Sequence, residues 1–456
     1  MSCTNRQVVE NLSMNNKDST TEQLNKLIEF RQNVYEHLTD YGDAQFELID
    51  GLLSDSRVNS FVELTLSPVF QRGWGSAYAA IEKGSLDEVG LQAQYCQLLP
   101  DGQTRVYALD TTVWSHPSAR TLSELMYEYS PIKGIPKHRV VKSHSYSLLS
   151  WSAQRGSSWA LPVQVQRVKA GQTAIEVGGE QVKGHCRMCQ VHGLSGQTVI
   201  TVDGKYGTHR FLGPLRDEPC LVVARLRRDR VLYGPPPPYA GFGRPRQHGQ
   251  RFVFKEAETW PEPDEVHVFR DERWGQVRLR GWHHLHAKQD AATPFTAIYA
   301  EVRCERQHPP APIWLAFLNH NQAQQSIKQA WLWFDHRWSI EPSIRFRKQR
   351  LHWLLPCFLQ SERCDQWSQL VDVAYWQLFL ARDLVRQHPL PWQKHLAQLS
   401  PGRILQNFAL LFAQIGSPTR PVQPRGKSPG WPTGKPRTRP KRYQPIIRNP
   451  KHAQMA

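Results

Sequence analysis

The 456-residue sequence predicts an α/β fold: a mixed sheet flanked by helices, with a β-rich insertion and helical N- and C-terminal regions. Three observations support this expectation. Short apolar runs rich in β-branched and aromatic residues recur between residues 104 and 226, with a helical stretch and a short Gly-bounded helix among them. A Pro/Gly loop then introduces a second, more polar set of strands. Leu and aromatic residues at three- and four-residue spacings dominate both ends of the chain.

Gln23 to Tyr41 and Phe46 to Leu53 read as helices, and residues 1–95 as a helical region. RVYALD (105–110), YSLLSW (146–151) and SWALPVQVQRV (158–168) read as strands, followed by a helix over Thr173 to Val191. A strand TVITVD (198–203) comes next and, after a short Gly-bounded helix, a fifth strand CLVVARL (220–226). That order suits a mixed sheet covered by helices, of which residues 96–226 form the first part. GPPPPYAGFGRPRQHGQ (234–250) cannot be helix or interior strand. EVHVF, GQVRLRGW and FTAIYAEV alternate after it, so residues 227–308 read as a β-rich insertion. PIWLAFL (312–318) reads as a strand returning to the main body, and Gln322 to Trp353 as one long helix within residues 309–356. Helical patterning continues over 357–416. Residues 417–456 carry ten Lys/Arg, nine Pro and no acidic residue, a composition that predicts disorder.

Fifty-seven Lys and Arg against 40 Asp and Glu give a net charge of +17, which favours an anionic partner such as nucleic acid. No stretch approaches the ~20 uninterrupted apolar residues that spanning a bilayer requires, and the N-terminus lacks a secretory pattern. Eight scattered cysteines suit a reducing cytoplasm better than a disulfide scaffold.

Two aspartates end strand-like runs, Asp110 in YALDTT and Asp203 in ITVDGKYG. Carboxylates just past buried strands sit at the rim of a sheet, where α/β folds place reactive groups. Either residue alone could equally cap a turn or helix. The third element is WFDHRWSIEPSIRFRKQ (333–349), in which Phe334, Arg337 and Lys348 lie at −7, −4 and +7 from Glu341. At helical periodicity these four fall within an arc of roughly 60°. One carboxylate flanked by cations on a single stripe could meet a metal and a phosphate backbone; by itself an i,i+4 Arg–Glu pair contributes only ~0.3–0.5 kcal/mol. Pro342 directly follows Glu341 and predicts a kink there. Hard carboxylate oxygens suit Mg²⁺ or Mn²⁺, and two such ions can activate an attacking oxygen while stabilising a leaving one.

The spacing F-x2-R-x3-E-x6-K resembles the Y-x2-R-x3-E-x6-K box of bacterial insertion-sequence transposases of the DDE superfamily. It looks like the branch in which a β-strand insertion separates the second Asp from the Glu. LDTT and VDGKYG resemble the segments around that family's first two aspartates, and the strand order suits its RNase H-like core. The box Tyr is replaced by Phe334, which loses a hydroxyl and keeps a ring. The resemblance implies that Asp110, Asp203 and Glu341 are catalytic ligands of two Mg²⁺ (or Mn²⁺) ions, with Arg337 and Lys348 contacting DNA. It implies a transposase that cuts double-stranded DNA at insertion-sequence ends and joins them to a target, acting as a homodimer on paired ends. The N-terminal helices would read the ends, in a cytoplasmic, nucleoid-associated protein. A domesticated DNA-binding derivative and a structure-specific nuclease on the same core are the alternatives.

Weaker signals remain. Arg225, Arg227, Arg228 and Arg230 end the fifth strand and either line a DNA channel or are simply solvated. The basic tail could neutralise phosphates non-specifically. His185, Cys186, Cys189 and His192 form H-C-x2-C-x2-H, but four tetrahedral ligands from one short helix are awkward, and ordinary helix residues are the favoured reading. His283, His284 and His286 read as solvated or DNA-proximal, with alternation sending His284 to the opposite face. Trp331, Trp333 and Trp338 read as packing residues.

Overall fold

The helical spacings of the N-terminal region form α1 (Cys3–Glu36), α2 (Gly42–Leu52), α3 (Trp74–Glu82) and α4 (Glu88–Gln97) in the computed structural model. It describes residues 3–54, 57–129, 140–239, 241–303, 310–319, 325–387, 389–396, 398–423, 430, 433–436 and 438–446. The sequence reading carried its first helix through Tyr41, whereas the helix ends at Glu36 and Tyr41, at φ 55, starts α2 instead. No described helix is long and apolar enough to cross a membrane.

The strands then follow the expected order, with one addition. They are β1 (Arg105–Ser115), β2 (Met126–Tyr129), β3 (Val140–Ser152), β4 (Ala160–Val168), β5 (Thr198–Val202) and β6 (Leu221–Leu226), with α5 (Ala174–Val191) and the short α6 (His209–Leu212) among them. The four-residue β2 is too short to show a period in the sequence. β1 pairs antiparallel with β3 and parallel with β5, β3 pairs antiparallel with β4, and β5 runs parallel to β6. This order, β4-β3-β1-β5-β6, is the mixed sheet of an RNase H-like fold. Thr173 starts α5 with a capping box, its hydroxyl accepting from the Glu176 N–H while the Glu176 carboxylate accepts from the Thr173 N–H. Gly178 on α5 sits so close to β1 that a Cβ would stand 2.8 Å from a Leu109 methyl.

The insertion contributes β7 (Val231–Tyr233), β8 (Arg251–Val253), β9 (Glu265–Asp271), β10 (Gly275–Ala287) and β11 (Asp290–Arg303). It does not form a separate layer. β12 (Ile313–Leu318) lies antiparallel to both β6 and β11, so core and insertion share one twelve-stranded sheet. Pairing with β12 satisfies the backbone edge that β6 would otherwise expose. Both faces of β12 are apolar and covered: Trp314, Ala316 and Leu318 join one cluster, Leu315 and Phe317 the other. The histidines of β10 depart from simple alternation. His284 takes φ 56 at an irregularity in the β10–β11 register, and His286 is buried rather than solvated, its Nε2 3.0 Å from His248 Nδ1.

The single long helix expected from Gln322 to Trp353 is two. α7 (Ile327–His336) and α8 (Ile340–Gln349) are separated by a 3₁₀ turn over Arg337–Ser339 (residues 322–324 lie outside the described residues). Pro342 has no N–H to donate to the Trp338 carbonyl, and the chain tightens just ahead of it. α7 buries Ile327, Ala330, Trp331 and Trp333 against Val199, Val223, Leu315 and Phe317 on one sheet face. α8 is anchored by Lys348, whose Nζ donates to the Val113 carbonyl at 2.9 Å, and by the buried pair Arg347–Asp372 at 2.5 Å.

α9 (Ser361–Leu380) is buried along nearly its whole length. The N-terminal helices pack on it in the same core, with Arg31 donating to Asp50 at 2.7 Å and to Gln377 at 2.6 Å. Described residues of the basic tail also lie on the body. The Tyr443 N–H donates to the Arg120 carbonyl at 2.9 Å and the Ile446 N–H to the Leu125 carbonyl at 2.7 Å.

Burial pushes the Lys348 amine down from 10.5 to about 8, and neighbouring Arg347 adds to the effect. Between these values the unfolded chain binds a proton that the folded chain lacks, so stability rises with pH. Wild type should therefore gain on the order of 1–2 kcal/mol relative to Lys348→Met between about pH 7.5 and 10. Urea unfolding midpoints of the two proteins at both pH values check this.

Candidate active site

In the parallel pairing of β1 with β5, Leu109 stands opposite Val202, and Asp110 and Asp203 are the next residues on each chain. The strands part at this point. β5 ends, while β1 continues beside β3 to Ser115. Alternation places Asp110 on the same face as Ala108 and Val106, and Asp203 on the same face as Val199. This is the face that α7 and α8 cover. Ile340, the first residue of α8, packs on Ala108 and Ala160, and so brings Glu341 over the divergence of the two strands. The small side chain of Ala108 permits that approach.

Arg337, held in the 3₁₀ turn, links the acids. One guanidinium nitrogen is 3.1 Å from Glu341 Oε1 and the other 3.4 Å from Asp110 Oδ2. The expected i,i+4 pair is therefore present, and the same side chain also reaches across to β1. Its Nε is buried without a partner. Burial pushes the Asp110 carboxyl above its usual range. Arg337 and the Thr111 N–H pull it back, whereas Asp203 and Glu341 push it further up. The hard oxygen donors of the three carboxylates are of the kind that suits a divalent cation.

The Asp203 segment adds residues that the sequence reading did not single out. The carboxylate of Asp203 accepts from the Lys205 N–H at 3.0 Å, and Lys205 Nζ lies 3.1 Å from Thr111 Oγ1, bridging the two aspartate loops. Buried Tyr206 has its hydroxyl pushed up by desolvation, with Asp110 and Asp203 acting in the same direction. Gly207 is required sterically, since a Cβ there would stand 2.2 Å from the Arg225 carbonyl. Lys205 and Tyr206 were visible in VDGKYG. Lys255, which lines the same opening as Lys205, carried no signal because it sits in the insertion.

Two openings flank the acids. One, of 530 Å³, is lined by Asp203, Lys205, Arg225, Arg227, Arg228, Lys255 and Arg337. Arg225 is exposed on β6, Arg227 pairs with Asp229 at 3.1 Å, and Arg228 donates to the Pro312 carbonyl at 3.1 Å. The other, of 260 Å³, is lined by Trp274, Trp331, Phe334 and Trp338 with Arg225, Arg337 and Glu341 at its rim. Trp331 and Trp333 are buried as expected, whereas Trp338 is 42% exposed, with the Arg273 guanidinium 4.8 Å over its ring. Asp335 fixes this side of α7. It accepts from Arg155 at 2.8 Å, Arg273 at 3.2 Å and the Trp274 indole at 2.8 Å. Of the candidate DNA contacts, Arg225, Arg227, Arg228 and Arg337 line the basic opening and Phe334 the aromatic one, while the Lys348 ammonium is held against β1.

The H-C-x2-C-x2-H residues do not converge. His185 and Cys189 share a face of α5 and meet Cys96 of α4, whereas the Cys186 thiol faces Cys220, and His192 stands at the helix end.

A family model described as DDE superfamily endonuclease matches residues 33–286, a span that runs from the N-terminal helices to the end of β10 and contains Asp110 and Asp203. Comparison with curated proteins finds no match. Members of this superfamily are nucleases that act on DNA and typically use divalent metal ions. With more than half of its length matched and an RNase H-like sheet that carries Asp110 and Asp203 on adjacent strand segments, this chain belongs to the DDE superfamily endonucleases.

Proposed function

We propose that the protein is a transposase that cleaves DNA at insertion-sequence ends and joins them to target DNA, working as a homodimer on paired ends in association with the nucleoid. The observation that supports this reading is the Arg337 bridge between Asp110 and Glu341, with Asp203 on the neighbouring strand lining the same opening as Arg337, together with the F-x2-R-x3-E-x6-K spacing. Asp110, Asp203 and Glu341 would hold two Mg²⁺ or Mn²⁺ ions. When bound, such ions activate the attacking oxygen and stabilise the leaving oxygen of an in-line phosphoryl displacement. Arg337 lowers the Asp110 carboxyl against burial and the other two acids, and orients Glu341. Lys205, Arg225, Arg227, Arg228 and Lys255 bind the phosphate backbone along the basic opening. Hydrolysis at the element's end would expose a 3′-hydroxyl, which the same residues then present to a target phosphodiester.

Loss of a group that merely orients a metal ligand costs ~10–100-fold, so loss of a ligand should cost more than about 100-fold. Asp110→Asn, Asp203→Asn and Glu341→Gln should each abolish cleavage of a terminal-repeat duplex in Mg²⁺ and still retard that duplex on a gel. Full cleavage by any one of them would remove that residue from the site. Inverted repeats flanking the gene, bounded by short direct duplications, separate transposition from a repair nuclease.

Arg337→Gln should slow cleavage by about 10–100-fold. It should also move the acid limb of the pH–rate profile to higher pH, because Asp110 loses the charge that lowers its pKa. An unmoved limb would mean that Arg337 does not govern the ionisation of Asp110.

Arg225→Ala and Arg228→Ala should each weaken binding to any DNA sequence and reduce the slope of log affinity against log salt by about 0.9. Fluorescence anisotropy over a salt series measures this.

A further inference from the structure

Away from the acids, a second group of side chains meets where β1, β3 and α9 come together. His116 follows the last residue of β1, His144 lies on β3 and Cys364 is in the first turn of α9. All three are buried, at 7%, 0% and 0% exposure, and one donor atom from each lies within 4.8 Å of the others. The hydrogen bonding of His144 identifies its tautomer. Its Nε2 is 3.0 Å from the Ser123 carbonyl, which can only accept, so Nε2 carries the proton and Nδ1 is a bare lone pair. That Nδ1 is buried with no hydrogen-bond partner, and so is Nε2 of His116. Two unpartnered ring nitrogens inside one protein core cost free energy that a bound ion would recover.

We propose that His116, His144 and Cys364 form a zinc site that clasps α9 to the β1–β3 hairpin. The donor chemistry selects the ion. Two imidazoles and a thiol suit zinc and exclude Mg²⁺ and Ca²⁺, so this site differs in kind from the carboxylate trio. The proton on His144 Nε2, given to a backbone carbonyl, is the outer contact that metal-bound histidines typically make. Burial, and for His116 also the neighbouring His144, pushes both imidazoles toward the neutral form that ligates metal, His116 to about 3. Binding displaces one proton, from the Cys364 thiol, and leaves the site with one net positive charge. Asp365 and Glu124 both act on His144 from nearby, against the charge of Arg167 with which both of them pair. Zinc held at ~2.0–2.3 Å from each donor requires the three side chains to draw in by about an ångström from their present spacing. The ion would tie down the far end of β1, six residues beyond Asp110, through α9 and the core that α9 shares with the N-terminal helices.

The test uses the full-length protein. Zinc content is measured by mass spectrometry on wild type, His116→Gln, Cys364→Ala and Cys189→Ala, the last as a control for the Cys96–His185–Cys189 cluster. Wild type and Cys189→Ala should carry one more equivalent than His116→Gln and Cys364→Ala. Should these two variants fail to fold, titrating metal-stripped Cys189→Ala with Co²⁺ replaces them, and should give a thiolate-to-metal charge-transfer band and a higher Tm. Equal zinc in wild type, His116→Gln and Cys364→Ala overturns the proposal. So does loss of the ion in Cys189→Ala alone, or a stripped Cys189→Ala protein whose spectrum and Tm do not respond to Co²⁺.

Discussion

Three carboxylates at one half-buried place repel one another, and the rest of the structure answers that constraint. Asp110 and Asp203 cannot retreat, because each follows directly on paired strand backbone. The backbone of Glu341 is fixed by α8, which is seated on Ala108 and Ala160. Arg337 offsets part of the repulsion by bridging Asp110 and Glu341, and burial together with the other two acids still pushes the Asp110 carboxyl upward.

Holding the arrangement requires rigidity on both sides of Arg337. On one side, Asp335 gathers Arg155, Arg273 and the Trp274 indole, which ties α7 to the β3–β4 connection and to the β9–β10 turn of the insertion. On the other, Lys348 binds the Val113 carbonyl and Arg347 pairs with Asp372 of α9. The turn between α7 and α8 is thus pinned at both ends, and Arg337 has few places to go. Removing one member of the buried Arg347–Asp372 pair would leave the other charged and uncompensated, a strongly unfavourable condition. β12 serves the same purpose by pairing with β6, so that the strand carrying Arg225 is interior rather than an edge, and the insertion continues the sheet beyond it.

Much of this was legible along the chain. Strand runs and the α5 helix were readable because period-2 and 3.6-residue patterns are local properties of adjacent side chains. Asp110 and Asp203 stood out because each ends an apolar run. Glu341 and Arg337 were linked by a four-residue spacing that survives the 3₁₀ turn. What misled was equally physical. Pro342 was readable as a kink, but a sequence does not show that the chain tightens ahead of the proline rather than at it. The left-handed His284 breaks the alternation on which the histidine reading relied, and His286 is buried in consequence. His116, His144 and Cys364 gave no signal, being separated in sequence and brought together only by the packing of α9.

The sequence by itself determined the fold class, the order of strands and helices, and the residue types available for metal and phosphate chemistry, because each follows from local pattern and side-chain character. Only the tertiary structure decided that Arg337 reaches Asp110 as well as Glu341, that Lys205 and Lys255 share one opening, and that core and insertion form a single sheet. Those facts depend on strand register and on which helix covers which face, and both are settled by packing between segments that the linear chain keeps far apart.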